Sequence, residues 1–536
     1  MSSFYSDTLS TRPAKTTTAQ TKPLPGRETE MVKNSAGGFT FQLDMWGYLD
    51  RFLILGSDRP SYYASAQKLT KDAAGNVLKC IAADGVKTVE RITELSQAGR
   101  APKNDPAIFA LALCAINGSP ETVEAAYAAL PKVARIGTHL FQFVSALDEL
   151  GKWNAAAKRG VAAWYTARKQ ERLALQLIKY QSRNGWSHRD VLRLAHVKPL
   201  DEVQSNTFRY VVKGADAIEQ GSPMPQLIID FETMKRDATA STALKIIGSN
   251  SDITWEMIPT ELQRDVKVMS ALIPSMGLTA IIRKLGQLTN LGIIGALTPD
   301  TKVIADKLAD REAIKAQRIH PITILNALNT YRKGHGDKGT LTWSPSQRII
   351  DALEGAFYMS FDFVESTGQP HLIGIDCSGS MWGSACVGAP NISSAEAAAV
   401  MALALMKRES NYWIGGFNSV MSELKISPNM RLDAVLSVMQ KFRWGTTDCS
   451  LPMLHAIEHK MTNVSKFVVY TDNETYAGRM QPVEALARYR AQYVRDAKLI
   501  VCGTSATNFT IADPKDPGML DIVGFDSAAP ALIQSF

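Results

Sequence analysis

From Phe39 to Ala352 the apolar positions recur every three or four residues, in successive stretches separated by short polar joins. That period puts them on one face of an α-helix. It predicts helices over Asp105–Ile116, Pro120–Ala134, His139–Leu150 and Trp153–Arg168, among others. Few stretches here alternate as strands do. So long a helical run buries its faces better as stacked helix pairs than as one bundle, and an α-solenoid is expected. No strict sequence repeat accompanies it, so this expectation rests on the number and length of the helices.

After about Glu365 the pattern changes. Short apolar runs at His371–Ile375, Tyr412–Phe417, Lys466–Tyr470, Lys498–Cys502 and Asp521–Phe525 predict strands. Helical stretches lie between them, notably Ser394–Lys407 and Pro482–Arg495, and Ser393 with Glu396 is spaced as a capping box. Strand–helix alternation implies a parallel sheet covered on both faces. Ligands of such sheets bind beyond the carboxyl ends of the strands, where Asp376 and Asp472 fall.

A chain of 536 residues is too long for one core. The expected division is a polar, disordered tail over 1–30, a helical-repeat domain over 31–365 and an α/β domain over 366–536. No apolar run approaches a membrane span, and the start lacks the apolar core of a signal peptide. The six cysteines contain no Cys-x-x-Cys pair, which favours thiols in a reducing cytoplasm over disulfides or zinc. Charge is unevenly spread. Residues 351–536 hold 14 Lys+Arg against 19 Asp+Glu, net −5, while residues 1–350 hold 45 against 33, net +12. A basic domain of that size points to an anionic partner, most simply nucleic acid.

The most specific chemistry lies at Asp376-Cys377-Ser378-Gly379-Ser380. This Asp-x-Ser-x-Ser turn offers one carboxylate and two hydroxyls at a strand's end. Thr447 and Asp472 can supply further oxygens; Thr446, adjacent to Thr447, is the alternative. Such a set suits a hard cation, Mg²⁺ above all. The plainer alternative is that Ser378 and Ser380 only shape a turn and cap a helix.

The segment Lys179–Asp190 is the second signal. Asn184-Gly185 reads as the end of a helix, and Ser187 as the cap of the next, with Asp190 at its third position. Arg189, Arg193 and His196 then share a face, while Lys179, Arg183 and His188 gather at the junction. These groups can pair with phosphates or stack on unpaired bases. From pattern alone, a solvated basic face is the plainer reading. The loop Tyr331–Gly339 is basic and glycine-rich but is no P-loop. His455 and His459 lack the His-Glu-x-x-His pattern of a zinc pair. No constellation argues for an enzyme.

Together these motifs resemble the Ro autoantigen family, whose members join a TROVE domain to a von Willebrand factor A domain. The resemblance rests on Arg51–Ser57, Tyr62-Tyr63, Arg183–His188, Leu278-Thr279-Ala280, Arg318–Pro321, Gly334-His335-Gly336 and Thr447–Met453. It implies HEAT-like helical repeats bent into a ring and closed by a Rossmann-like α/β A domain. It implies Y RNA on the outer basic surface, and the 3′ end of a misfolded noncoding RNA in the hole. The family's RNA-contacting histidine falls on His188, with Lys179, Arg183, Arg189 and Arg193 around it. The metal-ion-dependent adhesion site falls on Asp376, Ser378, Ser380, Thr447 and Asp472. An exoribonuclease or another protein is then the partner sought at the metal, for a monomeric, non-enzymatic RNA-quality-control scaffold. The rival reading is a metal-dependent protein-interaction module with the helices as mere support.

Overall fold

The computed structural model describes residues 17–55, 75–101, 103–151, 153–183, 185–317, 319–336, 340–360, 366–386, 389–442, 445–505, 507, 509–523 and 529–536. Gly56, Ser57, Tyr62, Tyr63, Asn184, Arg318 and Asp337–Gly339, all named above, lie outside these residues. Packing divides the chain into two units. Cys80–Ala98 and Lys103–Ser360 form one; Gly99–Pro102, Phe361–Phe536 and the described part of Met1–Lys79 belong to the other.

The first unit is built of helices that pack on neighbours one to three places along the chain. Asp105–Asn117, Pro120–Val133, Gly137–Glu149 and Ala155–Thr166 match the predicted stretches to within a turn. Side-chain caps begin several helices, satisfying amides that have no partner within the helix. Asn154 accepts from the Ala157 amide at 2.9 Å, Asp201 from Gln204 at 2.8 Å and Asp310 from Ala313 at 3.0 Å. Asp105–Asn117 is buried along most of its length, which explains its almost continuous apolar sequence.

One local expectation changes. The helix Gln170–Lys179 stops before Asn184-Gly185, and a hairpin follows, pairing Ser182 with Ser187 and Arg183 with Trp186. Gly185 adopts φ +77°, the left-handed region that a two-residue hairpin turn requires. Gly185 therefore sits in the turn of a hairpin, six residues past the helix's last residue, Lys179.

The second unit is organised around a six-stranded sheet. Its spatial order is Met519–Val523, Lys498–Gly503, Lys466–Thr471, His371–Asp376, Tyr412–Phe417, Met421–Glu423. All neighbours are parallel except the last pair. His371–Asp376 and Lys466–Thr471 are buried at every position, as expected for strands covered on both faces. Leu372, Phe467, Val469, Leu499 and Val501 pack with Met453, Ala456, Leu486 and Tyr489 from the helices Leu451–Glu458 and Pro482–Gln492. The helix Ser394–Arg408 packs on the two central strands; its Ser393–Glu396 capping box is present. The chain leaves His371–Asp376 for one side of the sheet and returns on the other with Lys466–Thr471. That switch opens a crevice where Asp376 and Asp472 end their strands.

Of the disordered tail expected over 1–30, residues 1–16 lie outside the described residues, and residues 17–30 are not a tail. From Thr17 onward the segment is tied to the second unit. Thr18 donates to Glu484 at 2.9 and 3.0 Å, Leu24 is buried with Met31 and Phe41, and Arg27 pairs with Asp513. Met31–Lys33 and Phe39–Gln42 form an antiparallel sheet with Phe509–Thr510. The described residues 31–55 and 75–79, assigned to the helical domain by their place in the chain, thus pack with the second unit. Local composition missed this because the partners lie more than four hundred residues away in sequence.

Candidate functional site

At the crevice Asp376 is fully buried. Its Oδ1 accepts from the Ser378 amide at 2.9 Å and its Oδ2 from the Thr471 hydroxyl at 2.8 Å. Ser378 is the N-cap residue of the short helix Gly379–Gly383, and its hydroxyl lies 3.2 Å from that of Ser380. Asp472 is fully buried too. Its Oδ1 accepts from the Glu474 amide at 3.1 Å, while its Oδ2 is buried and has no partner within hydrogen-bond geometry among the described residues, the Ser380 hydroxyl lying nearby. Burial raises the pKa of both carboxyls; the Asp376 charge raises Asp472 further, and the Ser380 hydroxyl partly opposes this. No cationic side chain acts on either among the described residues.

Thr447 is buried while Thr446 is half-buried. The Thr447 carbonyl accepts from the Tyr476 and Ala477 amides, both at 3.0 Å, which binds its loop to the one following Asp472. The structure thus gathers Asp376, Ser378, Ser380 and Asp472 and holds the Thr447 loop beside them. Two buried acids without a compensating positive charge, one oxygen of them unpartnered, fit a hard divalent cation. Thr471 was not anticipated from sequence; only its place before Asp472 hints that its hydroxyl orients Asp376.

In the helical unit Ser187 and Asp190 form the expected capping box, with bonds of 3.0 and 3.3 Å. Arg183, Arg189 and Arg193 are exposed, as is His196 at the helix's end. Lys179 is half-buried, 3.7 Å from Glu256, so part of its charge is already met.

His188 differs from expectation. Only 1% of it is exposed. As the first residue of its helix it turns inward, onto Phe141 (ring centroids 4.6 Å apart), Trp164 and Tyr165. Burial, with the nearby Arg168 charge, lowers its pKa to about 3, although the Gln176 backbone pulls the other way. The structure therefore encloses His188 beneath the exposed arginines and not on their surface.

His455 and His459 pack together on the face of their helix. Their rings stack on each other at 3.9 Å, and His455 stacks on Trp413 at 4.5 Å. No group of three or more His, Cys, Asp or Glu suited to a metal occurs among the described residues. All six cysteines are buried, and no disulfide joins them. No helix among the described residues is long and apolar enough to cross a membrane.

The TROVE domain model matches residues 32–248 and 237–368, and the Ro60 vWA domain model matches residues 371–536. This chain belongs to the TROVE-domain Ro60 family. It is 38% identical over 523 residues to a Deinococcus radiodurans protein called RNA-binding protein RO60, covering 96% of each chain. A Caenorhabditis elegans protein of the same name is 33% identical, with 94% of this chain and 90% of that one covered. The crystal structure of the Deinococcus radiodurans RO (RSR) protein superposes with a TM-score of 0.71 at 36% identity, over 92% of this chain and 99% of that one. The TROVE match begins at residue 32, whereas packing assigns residues up to Lys79 to the other unit. Family boundaries and packing boundaries therefore differ at this end of the chain.

Proposed function

We propose that this protein is a non-enzymatic RNA-binding scaffold that holds Y RNA and the 3′ ends of misfolded small noncoding RNAs in RNA quality control. The observation that carries the reading is similarity, across nearly the full length of both chains, to two proteins named RNA-binding protein RO60. The exposed Arg183, Arg189 and Arg193 support it, since guanidinium groups pair with phosphates and stack on unpaired bases. His188 contributes by filling the core beneath this face. The test is to sequence RNA copurified with the protein and to titrate the recovered RNA in a gel shift. Recovery of bulk cellular RNA without enrichment of small noncoding species overturns the reading.

The A-domain-like unit supports a second role in the same molecule, metal-dependent docking of a protein. Its basis is the buried, unpartnered Asp472 Oδ2 beside Asp376. Asp376, Ser378, Ser380, Thr447 and Asp472 would hold Mg²⁺, and a bound cation would offer an open position to a partner's carboxylate. Two carboxylates with hydroxyls suit this better than two-metal hydrolysis, which needs clustered acids. An exoribonuclease is one partner to test.

A further inference from the structure

We propose that residues 17–42 form an outer shell of the metal centre, and that Gln20 is a positioning residue coupling the seating of this segment to affinity for a hard divalent cation. The inference rests on the metal reading above. The segment grips the two loops that carry ligands. Gln20 is fully buried. Its Nε2 donates to Asp448 Oδ1 at 2.7 Å and to the Met480 carbonyl at 3.0 Å. Its Oε1 accepts from the Thr475 hydroxyl at 2.6 Å and from the Gly478 amide at 3.0 Å. A side-chain amide has two donors and two acceptor lone pairs, so all of its capacity is used on these loops.

Those contacts lead to the ligands. Asp448 follows Thr447, and Thr475 lies three residues after Asp472. The Thr475 hydroxyl also accepts from the Cys449 amide at 3.0 Å. Cys449 Sγ lies 3.6 Å from the Thr471 hydroxyl, which donates to Asp376. A continuous series of polar contacts therefore runs from Gln20 to the first ligand of the centre.

A second part of the same segment holds the Asp472 side. Asn34 Nδ2 donates to the Thr475 carbonyl at 2.8 Å and to that of Asn473 at 3.4 Å, and the Ala36 amide donates to Glu474 at 3.0 Å. Asn473, next to Asp472, has φ +66°, a left-handed conformation that asparagine adopts more readily than most residues other than glycine. The fit is at backbone distance. A Cβ on Gly38 would sit 1.8 Å from the Thr475 carbonyl oxygen, and one on Gly478 2.3 Å from Gln20 Nε2. If the segment lifts, the buried Thr475 hydroxyl, Gly478 amide and Met480 carbonyl lose partners, and both loops must rearrange.

Coupling of this kind is reciprocal. The experiment uses the full chain, calorimetry with Mg²⁺ alone, and hydrogen exchange over residues 17–42 with and without saturating Mg²⁺. Gln20→Ala should weaken Mg²⁺ at least about fivefold, and Mg²⁺ should slow exchange of the wild-type segment by a factor of the same order. A merely structural segment would show no Mg²⁺-dependent protection. Equal affinity in wild type and Gln20→Ala, or exchange unchanged by Mg²⁺, overturns the proposal. If Gln20→Ala does not fold, the wild-type exchange result decides. A wild type that does not bind Mg²⁺ overturns the metal reading itself, and this inference with it. Binding that Asp376→Ala abolishes and Gln20→Ala leaves intact overturns only the role of the segment.

Discussion

The Tyr165 hydroxyl lies 2.9 Å from Nδ1 of His188, inside a cage that Phe141 and Trp164 complete. Both side chains are essentially fully buried. The motif histidine of the basic segment is thus a core residue, linking the helix that carries Arg189 and Arg193 to the helix Ala155–Thr166.

This burial gives a pH dependence of stability. The native pKa of His188, about 3, lies below the unfolded value of 6.5, so the unfolded chain binds more protons between the two. Its contribution is complete above pH 6.5 and is lost as pH falls toward 3. Between pH 7.5 and 5 the loss should be about 2 kcal/mol. Tyr165 and Arg168, the titratable groups facing it, keep their charge states over this interval, with Tyr165 raised well above its ordinary value and Arg168 at about 10. Urea unfolding of wild type and His188→Gln at both pH values checks this; the variant should lack that share of the slope.

Arg189 and Arg193 lie one helical turn apart and are both exposed. If they meet phosphates, Arg189→Gln with Arg193→Gln should reduce the magnitude of the slope of log affinity against log salt by about 1.5, from the counterions released per contact. Thermal stability should stay nearly unchanged, because neither side chain is buried. Gel shifts over a salt series with a small structured RNA measure the slope. A slope equal to wild type would make this face a solvated surface only.

Asp376→Ala should abolish Mg²⁺ binding and leave RNA affinity within about twofold of wild type, less than the tenfold that corresponds to 1.4 kcal/mol. The reason is that the proposed RNA face belongs to the helical unit and the carboxylates to the other. Calorimetry with Mg²⁺, followed by RNA titration with and without chelator, separates the two. A tenfold loss of RNA affinity on chelation would make the metal part of the RNA site.

Arg490 is buried against Asp516 at 2.5 Å, and also donates to the Ala497 carbonyl at 2.7 Å and the Gly518 carbonyl at 3.2 Å. Arg490→Met removes one side of a buried pair and leaves Asp516 uncompensated. The expected loss is about 3–5 kcal/mol, a cost typical of breaking such pairs. Arg490→Lys should not restore it, because an ammonium cannot reproduce the guanidinium's spread of donors. Denaturant midpoints of the three proteins test this.

Periodicity was enough to place the helices of the first unit and the strands of the second, because each buries one face or both and its apolar spacing records that. The last strand, expected over Asp521–Phe525, begins two residues earlier, at Met519, and Gly524 and Phe525 lie outside the described residues; short apolar runs define their ends poorly. That the Asp-x-Ser-x-Ser turn and Asp472 would lie together was legible because parallel-sheet topology brings strand ends together. The shared exposed face of Arg189 and Arg193 also followed from helical spacing. Three things needed the tertiary structure. The inward turn of His188 depends on the aromatic residues Phe141, Trp164 and Tyr165, contributed by other helices. The role of Thr471 depends on the distance between two strands. The attachment of residues 17–42 depends on Gln20 and Asn34, polar residues in a segment without periodicity. Their partners are Asp448, Asn473, Thr475, Gly478 and Met480. Hydrophobic spacing reports which face of an element is buried, but a polar side chain reveals its partner only when the folded chain brings the two within hydrogen-bond distance.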